Sequence, residues 1–171
     1  MQDKLMNVLF LCTGNSARSI MAEALLRRWG MDKFWAYSAG SLPRGRVHPL
    51  ALELLQKEGL KTQDLRSKSW DEFSGPDAPV MDIVITVCDR AASEVCPVWP
   101  GQPITAHWGM PDPDRPDLDE DEQRRLFKKV YMELDQRIKI FTSLPLAKLD
   151  RLALQKQLGD MGRTVPEESE A

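Results

Sequence analysis

Residues Cys12 to Ser19 read Cys-Thr-Gly-Asn-Ser-Ala-Arg-Ser, between the apolar run Val8-Leu9-Phe10-Leu11 and the helix-forming run Ile20-Met21-Ala22-Glu23-Ala24-Leu25-Leu26. A strand, a short polar loop and a helix in that order put the loop at the end of a strand and at the N-terminus of a helix. The loop N–H groups and the helix N-terminus converge on one spot, where they hold a tetrahedral anion. Cys12 is the nucleophile on the floor of that site. The same positive potential is expected to lower its pKa, the thiolate being the reactive form. Arg18 can fork two hydrogen bonds onto the anion. Gly14 is expected to give the turn its backbone freedom, and Ser19 to donate to the thiolate and cap the helix. Thr13, Gly14, Asn15, Ser16, Ala17, Arg18 and Ser19 form the expected oxyanion-binding set. The competing reading makes Cys12 a buried thiol ending a core strand. It is disfavoured because Thr13, Asn15, Ser16 and Arg18 would be costly in a core with no anion to satisfy them. A nucleotide-binding loop is excluded, because no Gly-Lys-Ser/Thr follows.

The elements around this loop alternate. Strands are expected at Leu5–Leu11, Phe34–Ser38, Met81–Val87 and Ile104–His107. Helices are expected at Ser19–Trp29, stopped by Gly30, and at Pro49–Glu58, with Leu50, Leu54 and Leu55 on one face and Gly59 as its stop. Met81–Val87 is apolar throughout, which suits a strand buried on both faces. Asp121–Phe141 carries Leu126, Phe127, Val130, Tyr131, Leu134, Ile138 and Phe141 at the spacing of one helical face. The pattern predicts an α/β fold with a four-stranded parallel sheet and flanking helices. Ligands of such sheets bind at the carboxyl ends of the strands, where Cys12, Cys88 and the segment after His107 all fall. Residues 1–144 are read as one domain. Residues 145–171 are read as an extension with one helix around Leu146, Leu149, Leu152 and Leu158, followed by an acidic tail.

A chain of 171 residues with 42% hydrophobic and 29% charged residues can bury a good core and is expected to be soluble. The net charge of −3 argues against a nucleic-acid partner. No apolar run approaches the ~20 residues of a membrane span, and the N-terminus lacks a signal-peptide shape. A cytoplasmic protein is expected, in which three cysteines are reactive rather than structural. With two distant histidines and no Cys-x-x-Cys, no metal or other cofactor is expected.

Cys88 directly follows the buried strand, and Cys96 lies eight residues later. A disulfide needs Cα atoms within ~7 Å. A short helix through Ala91-Ala92-Ser93-Glu94 would hold the two cysteines farther apart, so pairing them means unwinding that segment. In Met110-Pro111-Asp112-Pro113 a carboxylic acid stands between prolines and can protonate a departing oxygen at the anion site. Asp114 is the rival acid. His48, before Pro49, reads as a helix-start residue. The acidic run Asp117–Glu122 reads as charge at a helix N-terminus.

Together these residues resemble the arsenate reductases built on the low-molecular-weight tyrosine phosphatase fold, from about Met6 to about Phe141. The anion loop, Met21-Ala22-Glu23, Tyr37-Ser38-Ala39-Gly40, Thr86-Val87-Cys88, Cys96-Pro97, His107-Trp108-Gly109 and Asp112-Pro113 carry the likeness. The tyrosine phosphatases share the first loop and the Asp-Pro pair, and generally lack the two later cysteines in this arrangement. The resemblance implies that Cys12 attacks arsenate, Arg18 holds it, and Asp112 helps water leave. Cys88 would then attack Cys12 to release arsenite, and Cys96 would carry the disulfide outward to a reductant. Ala17 stands where many relatives have a further cysteine. The Cys88–Cys96 interval is one residue longer than in the best-known thioredoxin-linked members. The donor therefore stays open between thioredoxin and a glutaredoxin or low-molecular-weight thiol. The alternative activity is hydrolysis of phosphomonoesters through a phosphocysteine on Cys12.

Overall fold

The computed structural model describes residues 5–88, 99, 101–146 and 149–163. Cys96, the expected turn of helix before it and the acidic tail lie outside the described residues.

Four strands form one parallel sheet: β1 (Met6–Leu11), β2 (Phe34–Ala39), β3 (Ile83–Thr86) and β4 (Ile104–His107), in the order β2-β1-β3-β4. β1 is central because both its faces are apolar. Val8 and Phe10 point to one side, Leu9 and Leu11 to the other, and all four are buried. The side of Val8 and Phe10 is covered by the helices α1 (Arg18–Trp29), α2 (Pro49–Lys57), α3 (Glu120–Ser143) and α4 (Arg151–Arg163). The side of Leu9 and Leu11 packs on Phe73, Met81 and Trp99. Phe73 belongs to a short 3-10 turn, Trp70–Phe73, that the sequence pattern did not foretell.

Helix ends follow local chemistry. His48 begins α2, its Nδ1 accepting the Leu50 N–H at 3.1 Å, with Pro49 in the first turn. The helix closes with the Leu60 N–H on the Leu55 carbonyl, the Gly59 N–H on the Gln56 carbonyl, and Gly59 left-handed at φ 81°. Asp119 caps α3 through the Glu122 N–H at 2.8 Å, and Glu120, Asp121 and Glu122 fill its first turn, as the acidic run foretold. The expected face of α3 is buried at Phe127, Val130, Tyr131, Leu134, Ile138 and Phe141.

α4 lies against β4. Leu154 and Leu158 enter the main core, and the Trp108 indole donates to the Leu158 carbonyl at 3.1 Å. Leu152, expected on the apolar face, points outward at 78% exposure, because the helix turns its i, i+4 pair 154/158 to the sheet instead. A Cβ on Gly162 would come within 1.9 Å of the His107 carbonyl oxygen, so glycine is what lets α4 approach the end of β4.

Candidate active site

The anion loop is shaped by the segment after β2. Three of its carbonyls are held from outside: Thr13 accepts from Leu42 N–H at 3.0 Å, Gly14 from Arg44 N–H at 2.9 Å, and Ser16 from His48 N–H at 2.9 Å. In a trans peptide the C=O of one residue and the N–H of the next point in opposite directions, and no described peptide is cis. Holding those carbonyls outward therefore turns the N–H groups of Gly14, Asn15 and Ala17 inward, toward the space above Cys12. α1 starts at Arg18 behind Ala17 with no side-chain cap, so its first N–H groups face the same space. Ser19 therefore does not make the expected helix cap: it lies inside the first turn, fully buried, and its Oγ accepts the Asn15 side-chain N–H at 2.8 Å. The left-handed residue of the loop is Asn15, at φ 44°, and not Gly14. Asparagine tolerates that conformation, and its Oδ1 is fixed by the Lys68 main-chain N–H at 2.8 Å. The missing side chain of Gly14 serves a different end: a Cβ there would lie 3.2 Å from the Nε of Arg44, which crosses over the loop. Gly40 permits the closest approach, since a Cβ on it would meet the Cys12 and Thr13 carbonyl oxygens at 2.4 Å.

Cys12 and Cys88 are both buried and both free thiols. Adjacent strands bring them together. Leu11 pairs with Thr86, the Val87 N–H donates to the Leu11 carbonyl, and the chain leaves β1 and β3 side by side. The Thr13 N–H points at Cys88 Sγ at 3.4 Å, so this member of the expected oxyanion set addresses the second thiol. The Cys12 thiol is not lowered as the sequence suggested. Its hydrogen bond with Cys88 and its burial push it well above the ordinary thiol range, and the nearby Arg18 charge pulls only partly the other way.

Arg18 reaches into the same place from α1. Its guanidinium donates to the Met110 carbonyl at 2.9 Å and lies 3.6 Å from Asp112 Oδ2. Asp112 Oδ1 accepts the Asp114 N–H at 3.0 Å, which turns the carboxylate toward the loop. The rival, Asp114, is engaged elsewhere: it pairs with Arg44 and lies 3.3 Å from His48 Nε2. Cys12, Gly14, Asn15, Ser16, Ala17, Arg18, Arg44, Asp112 and Asp114 line one cavity of about 20 Å³. Of the expected catalytic residues, Cys12, Arg18 and Asp112 line this cavity, Cys88 lies beside Cys12 without lining it, and Cys96 lies outside the described residues.

A buried polar cluster braces the loop from behind. Glu23 accepts from Ser38 Oγ, pairs with Arg27, and has the Lys68 ammonium 3.8 Å away. Burial pushes the Glu23 carboxyl up and the Lys68 ammonium down, while each partner's charge opposes the shift of the other. Sequence reasoning missed Lys68, Arg44 and the packing role of Gly40. Lys68 stands 53 residues from Asn15, and no local pattern signals that contact.

The chain matches the family described as low molecular weight phosphotyrosine protein phosphatase over residues 7–157. It is 36% identical over 134 residues to the arsenate reductase of Halalkalibacterium halodurans, covering 78% of this chain and 93% of that protein. Among solved structures it resembles a thioredoxin-dependent arsenate reductase of Corynebacterium glutamicum, with a TM-score of 0.62 and 28% identity over 86% of this chain and 66% of that one. It also resembles a tyrosine phosphatase of Escherichia coli K30 in complex with sulphate, with a TM-score of 0.63 and 25% identity over 81% of this chain and 97% of that one. No described helix is long and apolar enough to cross a membrane. The chain belongs to the low molecular weight phosphotyrosine protein phosphatase family, in the company of its arsenate reductases.

Proposed function

We propose that this protein reduces arsenate to arsenite with electrons from its own cysteines. The observation that carries the proposal is the second thiol, Cys88, held by the end of β3 against Cys12 at the foot of the anion loop. Hydrolysis needs a single nucleophile, whereas taking arsenic from the +5 to the +3 state needs two electrons, which a thiol pair supplies by becoming a disulfide. Cys12 condenses with arsenate, an S–As bond forms, and the departing oxygen leaves as water with a proton from Asp112. The loop N–H groups and Arg18 hold the remaining oxygens. Cys88 then attacks Cys12 sulfur. The S–S bond forms, the S–As bond breaks, and its electron pair stays on arsenic, which leaves as arsenite. Cys96 attacks Cys88, frees Cys12, and presents a Cys88–Cys96 disulfide to thioredoxin. A cytoplasmic setting, where thiols are kept reduced, suits this cycle. Phosphomonoester hydrolysis through Cys12 is the second reading, supported by the family match and by Asp112 beside Arg18.

Arsenite release from pre-reduced variants tests the scheme. Cys88→Ser should release none, and Cys96→Ser should release a single equivalent and then stop, even with thioredoxin present. Sustained turnover of Cys96→Ser with thioredoxin would remove Cys96 from the relay. Brisk aryl phosphate hydrolysis with no arsenite from the unaltered protein would favour the phosphatase.

A further inference from the structure

Arg44 stands on the rim of the anion cavity, and nothing in the proposed chemistry uses it. Its main-chain N–H holds the Gly14 carbonyl at 2.9 Å, which ties its backbone to the loop. Its side chain then lies back across Gly14, in the space a Cβ would contest at 3.2 Å, and its guanidinium pairs with Asp114. Both Arg44 and Asp114 line the same cavity as Cys12 and Arg18. Arg18 enters the cavity from the first residue of α1 and Arg44 enters from the segment after β2, so a bound anion would lie between two guanidinium groups.

We propose that Arg44 is a second anion-holding guanidinium, which leaves Asp114 for the outer oxygen of the bound oxyanion and so selects free tetrahedral oxyanions over esters. This rests on the arsenate-reductase reading and specifies its substrate class. Three features support it. The side chain of Arg44 is 54% exposed, so it can swing without disturbing the core. Asp114 is not stripped bare by that movement, because His48 stays beside it: His48 Nδ1 accepts the Leu50 N–H, so the neutral ring carries its proton on Nε2, 3.3 Å from Asp114 Oδ1. The cavity is confined, about 20 Å³, and Arg44 and Asp114 are part of its wall. An ester carries carbon on the outward oxygen, and that oxygen is then a poor acceptor where Arg44 and Asp114 already crowd the exit. A free oxyanion offers a charged oxygen there, which a guanidinium binds well.

Binding of inorganic phosphate to the Cys12→Ser protein, measured by titration calorimetry, tests this without any redox turnover. Adding Arg44→Ala should weaken phosphate at least tenfold, the order expected for one charge-assisted hydrogen bond. Arg44→Lys should recover part of the loss, and Arg46→Ala, the same charge removed two residues along the loop, should stay within about twofold. In the protein with Cys12 restored, Arg44→Ala should raise KM for arsenate by a similar factor with little change in kcat, and should not slow aryl phosphate hydrolysis. Equal, small losses for Arg44→Ala and Arg46→Ala would overturn the assignment, since only general loop charge would then matter. Equal losses for arsenate and aryl phosphate would overturn the selectivity. Failure of the unaltered protein to reduce arsenate would instead sink the reductase reading, and the phosphate titration would still judge Arg44.

Discussion

Cys88 changes what Cys12 can do before any substrate arrives. The hydrogen bond between the thiols, more than burial, favours the protonated form of Cys12. Removing that bond should lower the Cys12 pKa. In Cys88→Ala, alkylation of Cys12 by iodoacetamide, followed by mass, should therefore shift its pH midpoint downward. At neutral pH it should run roughly tenfold faster, the effect of about one pH unit in pKa. An unchanged profile would mean that the two sulfurs do not share the proton. The same shift bears on stability. The unfolded chain gives up this thiol proton at lower pH than the fold, so the group's contribution is intact below the ordinary thiol range and is lost as pH climbs above it. Asp112 and Asp114 separate at this scale too. Asp112→Asn should slow arsenite formation about 100-fold or more, while Asp114→Asn should leave that chemical step nearly unchanged, because Asp114 faces Arg44 and His48. The reverse pattern would reassign the acid. The chemical types of these residues were legible in the sequence: a cysteine and an arginine around a polar loop, and an acid between prolines. The aim of each group was not. That Thr13 N–H serves Cys88, or that Asn15 takes the left-handed turn, depends on strands and segments tens of residues away.

At the scale of elements, the strands and the long helix announced themselves because each buries a continuous run or a regular face. The strand boundaries expected from apolar runs lie within two residues of those observed. The short turn Trp70–Phe73 was not foreseen, since four residues carry no period to detect, and it is defined by covering the second face of the sheet. The register of α4 was likewise out of reach: leucines at 152, 154 and 158 fit more than one face, and only contact with β4 chooses. Leu158→Ala should cost about 2–5 kcal/mol of unfolding free energy in urea, as for a filled core position, whereas Leu152→Ala should stay within about 0.5 kcal/mol. Equal effects would mean that α4 is not seated as described. Gly40 links strand and loop. Gly40→Ala should cost about 1–3 kcal/mol by crowding the Cys12 and Thr13 carbonyls, and should depress activity further by displacing the anion loop. Full activity in that variant would show that the loop position tolerates movement.

For the whole molecule, the parallel sheet explains why one site gathers residues from four parts of the chain. β1 ends just before Cys12, β3 ends before Cys88, the segment after β2 supplies Arg44, and the segment after β4 supplies Asp112, all at the carboxyl edge. The core behind them, from Glu23 and Lys68 to α3 and α4, keeps that edge rigid while leaving the chemistry to the rim. A family fold used for hydrolysis becomes suited to reduction when a second thiol is set beside the first. The most direct measurement is a free-thiol count on the fully reduced protein before and after anaerobic arsenate, with no external reductant. The account predicts the loss of one thiol pair per chain, with arsenite released in equal amount and the disulfide mapped by mass to Cys88–Cys96. No loss of thiols, alongside rapid hydrolysis of an aryl phosphate, would contradict it.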